Sequence, residues 1–177
     1  MEDTRNVADE YKGLPIEDIA ADLDAKGVEL EIAVENTERD FNMGTIVRSA
    51  NAFGVRHVHV IGRRQWNKRG AMMTDKYLQV HYYADVDSFV EAMGERKRTI
   101  VAVDNIAGST PLAQTKLPRN AVLVFGQEGP GISKELAHAV EYIVAIEQFG
   151  STRSINVGVA AGIAMYAWLQ QYTLQRP

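Results

Sequence analysis

Short β-rich runs alternate with helix-period stretches along most of the chain. Leu30 to Val34 alternates apolar and acidic positions, while His57 to Ile61, Thr99 to Val103, Ala121 to Phe125 and Tyr142 to Ile146 are Val/Ile-rich. Apolar residues recurring at helical spacing predict helices near 44–53, 86–94, 133–140 and 155–172. This alternation predicts an α/β fold with a parallel sheet covered on both faces. Such sheets bind ligands beyond the carboxyl ends of their strands. Chemistry is therefore expected at Glu35-Asn36, Gly62, Asp104-Asn105, Gly126 and Glu147. Residues 1–29 read differently. Pro15 to Ala25 predicts one amphipathic helix with Ile16, Ile19, Ala20 and Leu23 on one side. This extension is expected to pack as a cap on a main domain of residues 30–177.

At 177 residues the chain suits one domain with a real core. It has no cysteine, which excludes disulfides, thiolate zinc sites and a cysteine nucleophile, and fits a reducing compartment. Met1 to Glu10 is polar and acidic, unlike a signal peptide. The longest apolar stretch, Ile155 to Leu169, contains Asn156 and falls short of the roughly 20 residues a bilayer span needs. A cytoplasmic protein without a membrane partner is expected. The net charge of −4 argues at first against nucleic acid. However, residues 1–31 hold ten acids and three bases, and the remainder holds 13 acids and 16 bases. The main domain is thus mildly basic and compatible with RNA.

Three stretches carry candidate chemistry. In the first, Asn42 can cap a helix that Gly54 ends, with Ile46, Val47, Ala50 and Phe53 on its buried face. Gly44 permits close approach, and Arg48, one turn on, can grip a phosphate or carboxylate with two hydrogen bonds. A capped amphipathic helix with a surface arginine explains this stretch equally well. In the second, Val122 to Ser133 is a buried strand entering a turn with glycines at 126, 129 and 131, with Glu128 inside it. Such glycines expose backbone N–H groups. The turn matches neither a dinucleotide fingerprint nor a Walker loop. In the third, Ser151, Thr152, Ser154 and Asn156 crowd a helix N-terminus, where polar ligands are favoured. One of the four serves as a cap. Gly158 and Gly162 in that helix would admit close packing.

Taken in order, Asn42-x-Gly44-x-x-x-Arg48, Phe125-Gly126-x-Glu128-Gly129-x-Gly131 and Gly150-x-x-x-Ser154-Ile155-Asn156-Val157 resemble the three motifs of the SpoU (TrmH-like) RNA methyltransferases of the SPOUT superfamily. The resemblance runs from about Leu30 to the C-terminus. It implies a SPOUT fold with a C-terminal trefoil knot, a homodimer, and transfer of a methyl group from S-adenosyl-L-methionine to a ribose 2′-hydroxyl of structured RNA. By matching positions it makes Arg48 the catalytic arginine, supported by Asn42, Glu128, Ser154 and Asn156. It assigns the cofactor to Gly126, Ile146 and Ile155, with Phe125, Gly131 and Gly150 beside them. No metal is implied. Compact members of the family often act on tRNA, so the resemblance favours tRNA over rRNA as substrate. Gln127, Glu147-Gln148 and Gly158 depart from the commonest family residues, at positions expected to contribute mainly backbone.

One further stretch, Gly62 to Gly70, carries Arg63, Arg64, Lys68 and Arg69 around Trp66. Cations supply phosphate affinity and an aromatic can stack on an unpaired base, so this loop is expected to touch RNA. The competing readings are a non-catalytic knotted RNA-binding protein and a nucleotide-binding Rossmann module.

Overall fold

The computed structural model describes residues 5–37 and 42–174. The first four residues of the acidic extension and the last three of the main domain lie outside the described residues. Among the described residues, five α-helices and seven strands form the fold: α1 (Ile16–Lys26), β1 (Glu31–Asn36), α2 (Met43–Ala52), β2 (His57–Gly62), β3 (Gln79–Tyr83), α3 (Val86–Glu95), β4 (Thr99–Val103), β5 (Thr110–Pro111), β6 (Ala121–Phe125), α4 (Lys134–Ala139), β7 (Tyr142–Ala145) and α5 (Val157–Tyr172). The strands form one sheet in the order β3-β2-β1-β6-β4-β7-β5, and every pairing is parallel.

Strand alternation divides the core in two. Ile32, Val34, Val60, Leu123 and Phe125 point to the face covered by α2 and α5, where Ile46, Val47, Ala161, Ala164 and Trp168 meet them. Ala33, Ala102, Val122 and Val124 point to the opposite face, against Phe89 and Met93 of α3 and Leu136 of α4. Asp85 caps α3 through a capping box with Ser88, and Ser133 caps α4 by accepting from the Leu136 N–H at 3.0 Å. Gly54, at φ +77°, ends the α2 turn as expected.

Three strands differ from the sequence expectation: β1 in its burial, and β3 and the two-residue β5 in not being expected at all. β1 reads as apolar alternating with acidic, which suggests one wet face, yet all six of its residues are buried. Its acids are partnered instead. Glu31 receives hydrogen bonds from His59 at 2.8 Å and Arg96 at 2.6 Å and pairs with Arg98 at 2.6 Å, while Glu35 accepts from the Ser133 N–H at 2.7 Å. β3 was absent from the expected strands because Gln79-Val80-His81-Tyr82-Tyr83 lacks an aliphatic run. Apart from Val80, its inward residues are polar aromatics, with His81 stacked on His57 and His59.

α1 packs against the rest of the fold. Ile19 is buried, and the Asp24 carboxylate accepts from Arg56 Nε at 2.7 Å and from Gln79 at 3.1 Å. Gly27 is required at this joint, because a Cβ there would lie 2.3 Å from the Arg56 side chain. Acidity in this segment therefore partly serves docking onto the buried Arg56.

Candidate active site

A cleft of about 240 Å³ opens at the carboxyl ends of β4, β6 and β7, lined by Val103, Gly126, Ile146, Ser154, Ile155 and Asn156 among others. This is where an open parallel sheet places its ligand. The volume is near the lower end of small-molecule sites, roughly 300–1,000 Å³.

The glycine turn forms one wall. Gln127 and Gly131 exchange two backbone hydrogen bonds of 3.0 Å, closing a tight loop. Gly126 must be glycine, since a Cβ would sit 2.1 Å from the Gly131 carbonyl carbon. Gly131 has φ +75°, and a Cβ there would meet the Asp104 carboxylate at 2.3 Å. Asp104 fixes the turn by accepting from the Ile132 N–H at 2.8 Å, and Glu35 holds the next residue, Ser133. Two carboxylates, from the ends of the strands that flank β6, thus hold the backbone that follows it.

The N-terminus of α5 forms the other wall. Asn156 Oδ1 caps it, accepting from the N–H groups of Gly158 at 2.9 Å and Val159 at 3.2 Å. Asn156 Nδ2 then donates to Asn42 Oδ1 at 3.0 Å, and Asn42 Nδ2 donates to the Glu128 carboxylate at 2.7 Å. A single hydrogen-bond chain therefore joins the three sequence motifs. Asn42 does not cap α2 with its side chain as expected; its amide is engaged across the site instead. α2 is brought in by two glycines. A Cβ on Gly158 would meet Thr45 at 3.1 Å, and one on Gly44 would meet the backbone of Ala71 at 2.6 Å. Arg48 follows Gly44 by one helical turn and is exposed.

Of the expected cofactor residues, Gly126, Gly131, Ile146 and Ile155 line the cleft, with Glu128, Ser154 and Asn156. Phe125 does not line it: as the last residue of β6 it points into the core beneath α5 and is fully buried. Gly150 also lies outside it, with open space around its Cα. Gly162 likewise has nothing within 4 Å of a Cβ, so of the two α5 glycines only Gly158 serves close packing.

The sequence model of the SpoU rRNA Methylase family matches residues 29–166. The chain belongs to this family.

Among SpoU relatives, a tRNA (guanosine(18)-2′-O)-methyltransferase of Escherichia coli (strain K12) is 23% identical over 141 residues, covering 78% of this chain and 62% of the relative. A Mycobacterium ulcerans (strain Agy99) protein described as an uncharacterized tRNA/rRNA methyltransferase is 29% identical over 162 residues, covering 83% and 48%. The chain thus spans about half to two-thirds of these relatives' length. The fold resembles the A. aeolicus TrmH/SpoU tRNA modifying enzyme, with TM-score 0.76 at 23% identity, covering 88% of this chain and 81% of that one. It also resembles the SpoU methyltransferase AviRb from Streptomyces viridochromogenes in complex with AdoMet, with TM-score 0.73 at 21% identity, covering 80% and 59%.

Against this SpoU frame, the loop after β2 corrects one expectation. Trp66 is 8% exposed and belongs to the core, so its ring is not offered to a base. Arg63, Arg64, Lys68 and Arg69 are exposed, with Arg64 over the Tyr82 ring at 5.2 Å and Lys68 paired to Asp75 at 2.8 Å. Sequence reasoning singled out Asp104 and Asn105 only as a strand end, and gave Gln148 no side-chain role. All three line the cleft. The Gln148 side-chain oxygen is buried without a hydrogen-bond partner. Among the described residues, no helix is long and apolar enough to cross a membrane, and no group of three His, Asp or Glu residues could hold a metal ion.

Proposed function

We propose that this SpoU chain is an S-adenosyl-L-methionine-dependent methyltransferase acting on a ribose 2′-hydroxyl of structured RNA, with tRNA favoured over rRNA. The hydrogen-bond chain Asn156–Asn42–Glu128, which gathers three distant motifs beside one cleft, carries this reading. The names of the relatives and the AdoMet-bound AviRb structure support it.

The cleft suits the cofactor's chemistry. Val103, Ile146, Ile155 and Val157 offer apolar walls for an adenine, and the Gly126–Gly131 turn brings backbone close without a Cβ in the way. When bound, the cofactor supplies an electrophilic methyl group on a sulfonium. Transfer of that methyl group to the ribose oxygen would leave S-adenosylhomocysteine, with the hydroxyl proton passing to water. Arg48 acts as a cation and hydrogen-bond donor, because a guanidinium offers five N–H groups and no acceptor. Its role is to hold the adjacent RNA phosphate and stabilise negative charge growing on the ribose oxygen. Asn42 and Asn156 fix the first turn of α2 against α5, and so fix where Arg48 stands. Arg63, Arg64, Lys68 and Arg69 extend the cationic surface along which RNA phosphates bind.

Two structural proposals accompany this reading. The C-terminal half forms a trefoil knot: β6 enters between β1 and β4, and β7 between β4 and β5, so the late strands insert within the sheet and do not extend its edge. The protein pairs as a homodimer through α5, whose outer stripe of Val159, Ile163 and Tyr166 is exposed and apolar.

Incubation with S-adenosylmethionine labelled in its methyl group, alongside separate tRNA and rRNA fractions, tests the activity. Label is expected in the tRNA fraction. Transfer to rRNA alone would reverse the substrate preference. Transfer to neither, from a protein that binds both cofactor and RNA, would favour a non-catalytic RNA-binding protein.

A further inference from the structure

Gln148 follows the end of β7, between cleft residues Ile146 and Ser154. Its neighbour Glu147 is occupied elsewhere, accepting from the Ala113 N–H at 3.2 Å. Gln148 itself lines the cleft, and its side-chain carbonyl oxygen is enclosed with no partner. Such an oxygen is costly, because burial strips its water and nothing in the protein replaces it. The walls around it carry polar side chains, Asn105, Gln127 and Ser154, yet none donates to it. An unpaired acceptor within the wall of a ligand cleft is what remains when the donor belongs to the ligand.

We propose that Gln148 is a cofactor-binding residue whose side-chain carbonyl accepts a hydrogen bond from S-adenosylmethionine. This rests on reading the cleft as the cofactor site and deepens it. The cofactor has three kinds of donor: the adenine amine, the ribose hydroxyls and the α-ammonium. All share the chemistry that a neutral amide oxygen recognises. The position then contributes a side chain as well as backbone, and it favours a complete nucleoside-amino-acid ligand over an apolar one of the same size.

Titration calorimetry with S-adenosylhomocysteine on the full chain, comparing wild type with Gln148→Met and Gln148→Leu, tests the proposal. The Kd is expected to rise about tenfold in both variants, the effect of losing one hydrogen bond. The melting temperature without ligand should stay level or rise, because an apolar side chain removes the unpaired acceptor. Affinity lost without loss of ligand-free stability is the signature of an oxygen that serves the ligand. A Kd within about twofold of wild type overturns the proposal. So does a ligand-free melting temperature that falls together with affinity, which marks a structural role. Failure of the wild type to bind overturns the cofactor reading itself. Repeating the titrations with 5′-methylthioadenosine, which lacks the amino acid, locates the donor. A retained penalty assigns it to the nucleoside and a lost one to the ammonium.

Discussion

Arg48 and Lys differ in one respect that matters at this position. Both carry a positive charge, but only the guanidinium presents a planar fork able to bind a phosphate through two hydrogen bonds. Arg48→Lys is therefore expected to lower kcat for methyl transfer by roughly 100-fold or more, as loss of a transition-state donor does. Cofactor affinity should be unchanged, because Arg48 stands on α2 outside the cleft lining. Single-turnover kinetics beside calorimetry measure both quantities, and near-normal turnover would rule out a role for the fork. At this scale the sequence was legible wherever a residue type serves a local need. Gly126 and Gly131 are glycines because neighbouring atoms fill the space of a Cβ, and Ser133 and Asn156 are helix caps. Residues defined by distant partners were less legible. Asn42 reads as a cap, and only the fold brings Glu128 and Asn156 to its amide. Trp66 amid four cations reads as a base-stacking ring, and only burial identifies it as core.

Strands β1, β2 and β3 carry a polar network on the face packed against α3. Burial raises the Glu31 carboxyl, but hydrogen bonds from His59 and Arg96 and the charge of Arg98 outweigh it, holding the group at about 2. Burial lowers His57 and His59, and burial together with the nearby charges of His59 and His57 pushes His81 down from 6.5 to about 4. A carboxylate only accepts, so His59 donates from Nε2 to Glu31 and accepts at Nδ1 from the Tyr83 hydroxyl at 3.0 Å. The neutral form of that ring fits both contacts. The sign of the pH dependence follows. Below pH 6.5 the unfolded chain takes up protons that the folded histidines refuse, so stability falls as pH drops from 6.5 toward 4. The Glu31 contribution is present above 4.5 and declines as pH falls toward 2. Urea unfolding at a series of pH values should show the midpoint dropping across the first window, and His81→Gln should flatten that drop. A midpoint level from pH 6.5 to 4 would contradict this account. The same network explains why the strands were only partly legible. Valine and isoleucine runs placed β2, β4, β6 and β7, whereas β1 buries acids and β3 sets a half-buried His81 among polar aromatics. Their burial depends on distant partners, His59 lying 28 residues from Glu31 and His57 24 residues from His81, and those partners lie outside any local pattern.

For the whole molecule, alternation of strands and helices was enough to predict a parallel sheet with its site beyond the strand ends, and the cleft lies there. The strand order was not predictable from that alternation, since β6 and β7 insert among earlier strands and a local pattern carries no information on where a later strand enters. The apolar outer stripe of α5 belongs to this scale as well, because one copy of the chain leaves it uncovered. Sedimentation equilibrium is expected to give the mass of two chains, and Tyr166→Glu to shift it toward one by placing a charge in the contact. A wild-type mass of one chain would contradict the proposed pairing. The central claim concerns where a methyl group goes. Nuclease digestion and mass spectrometry of RNA, after incubation with the protein and methyl-labelled S-adenosylmethionine, test it most directly. The account predicts label in 2′-O-methylated nucleosides. Label on a nucleobase, or none in RNA from a protein with proven cofactor binding, would contradict it.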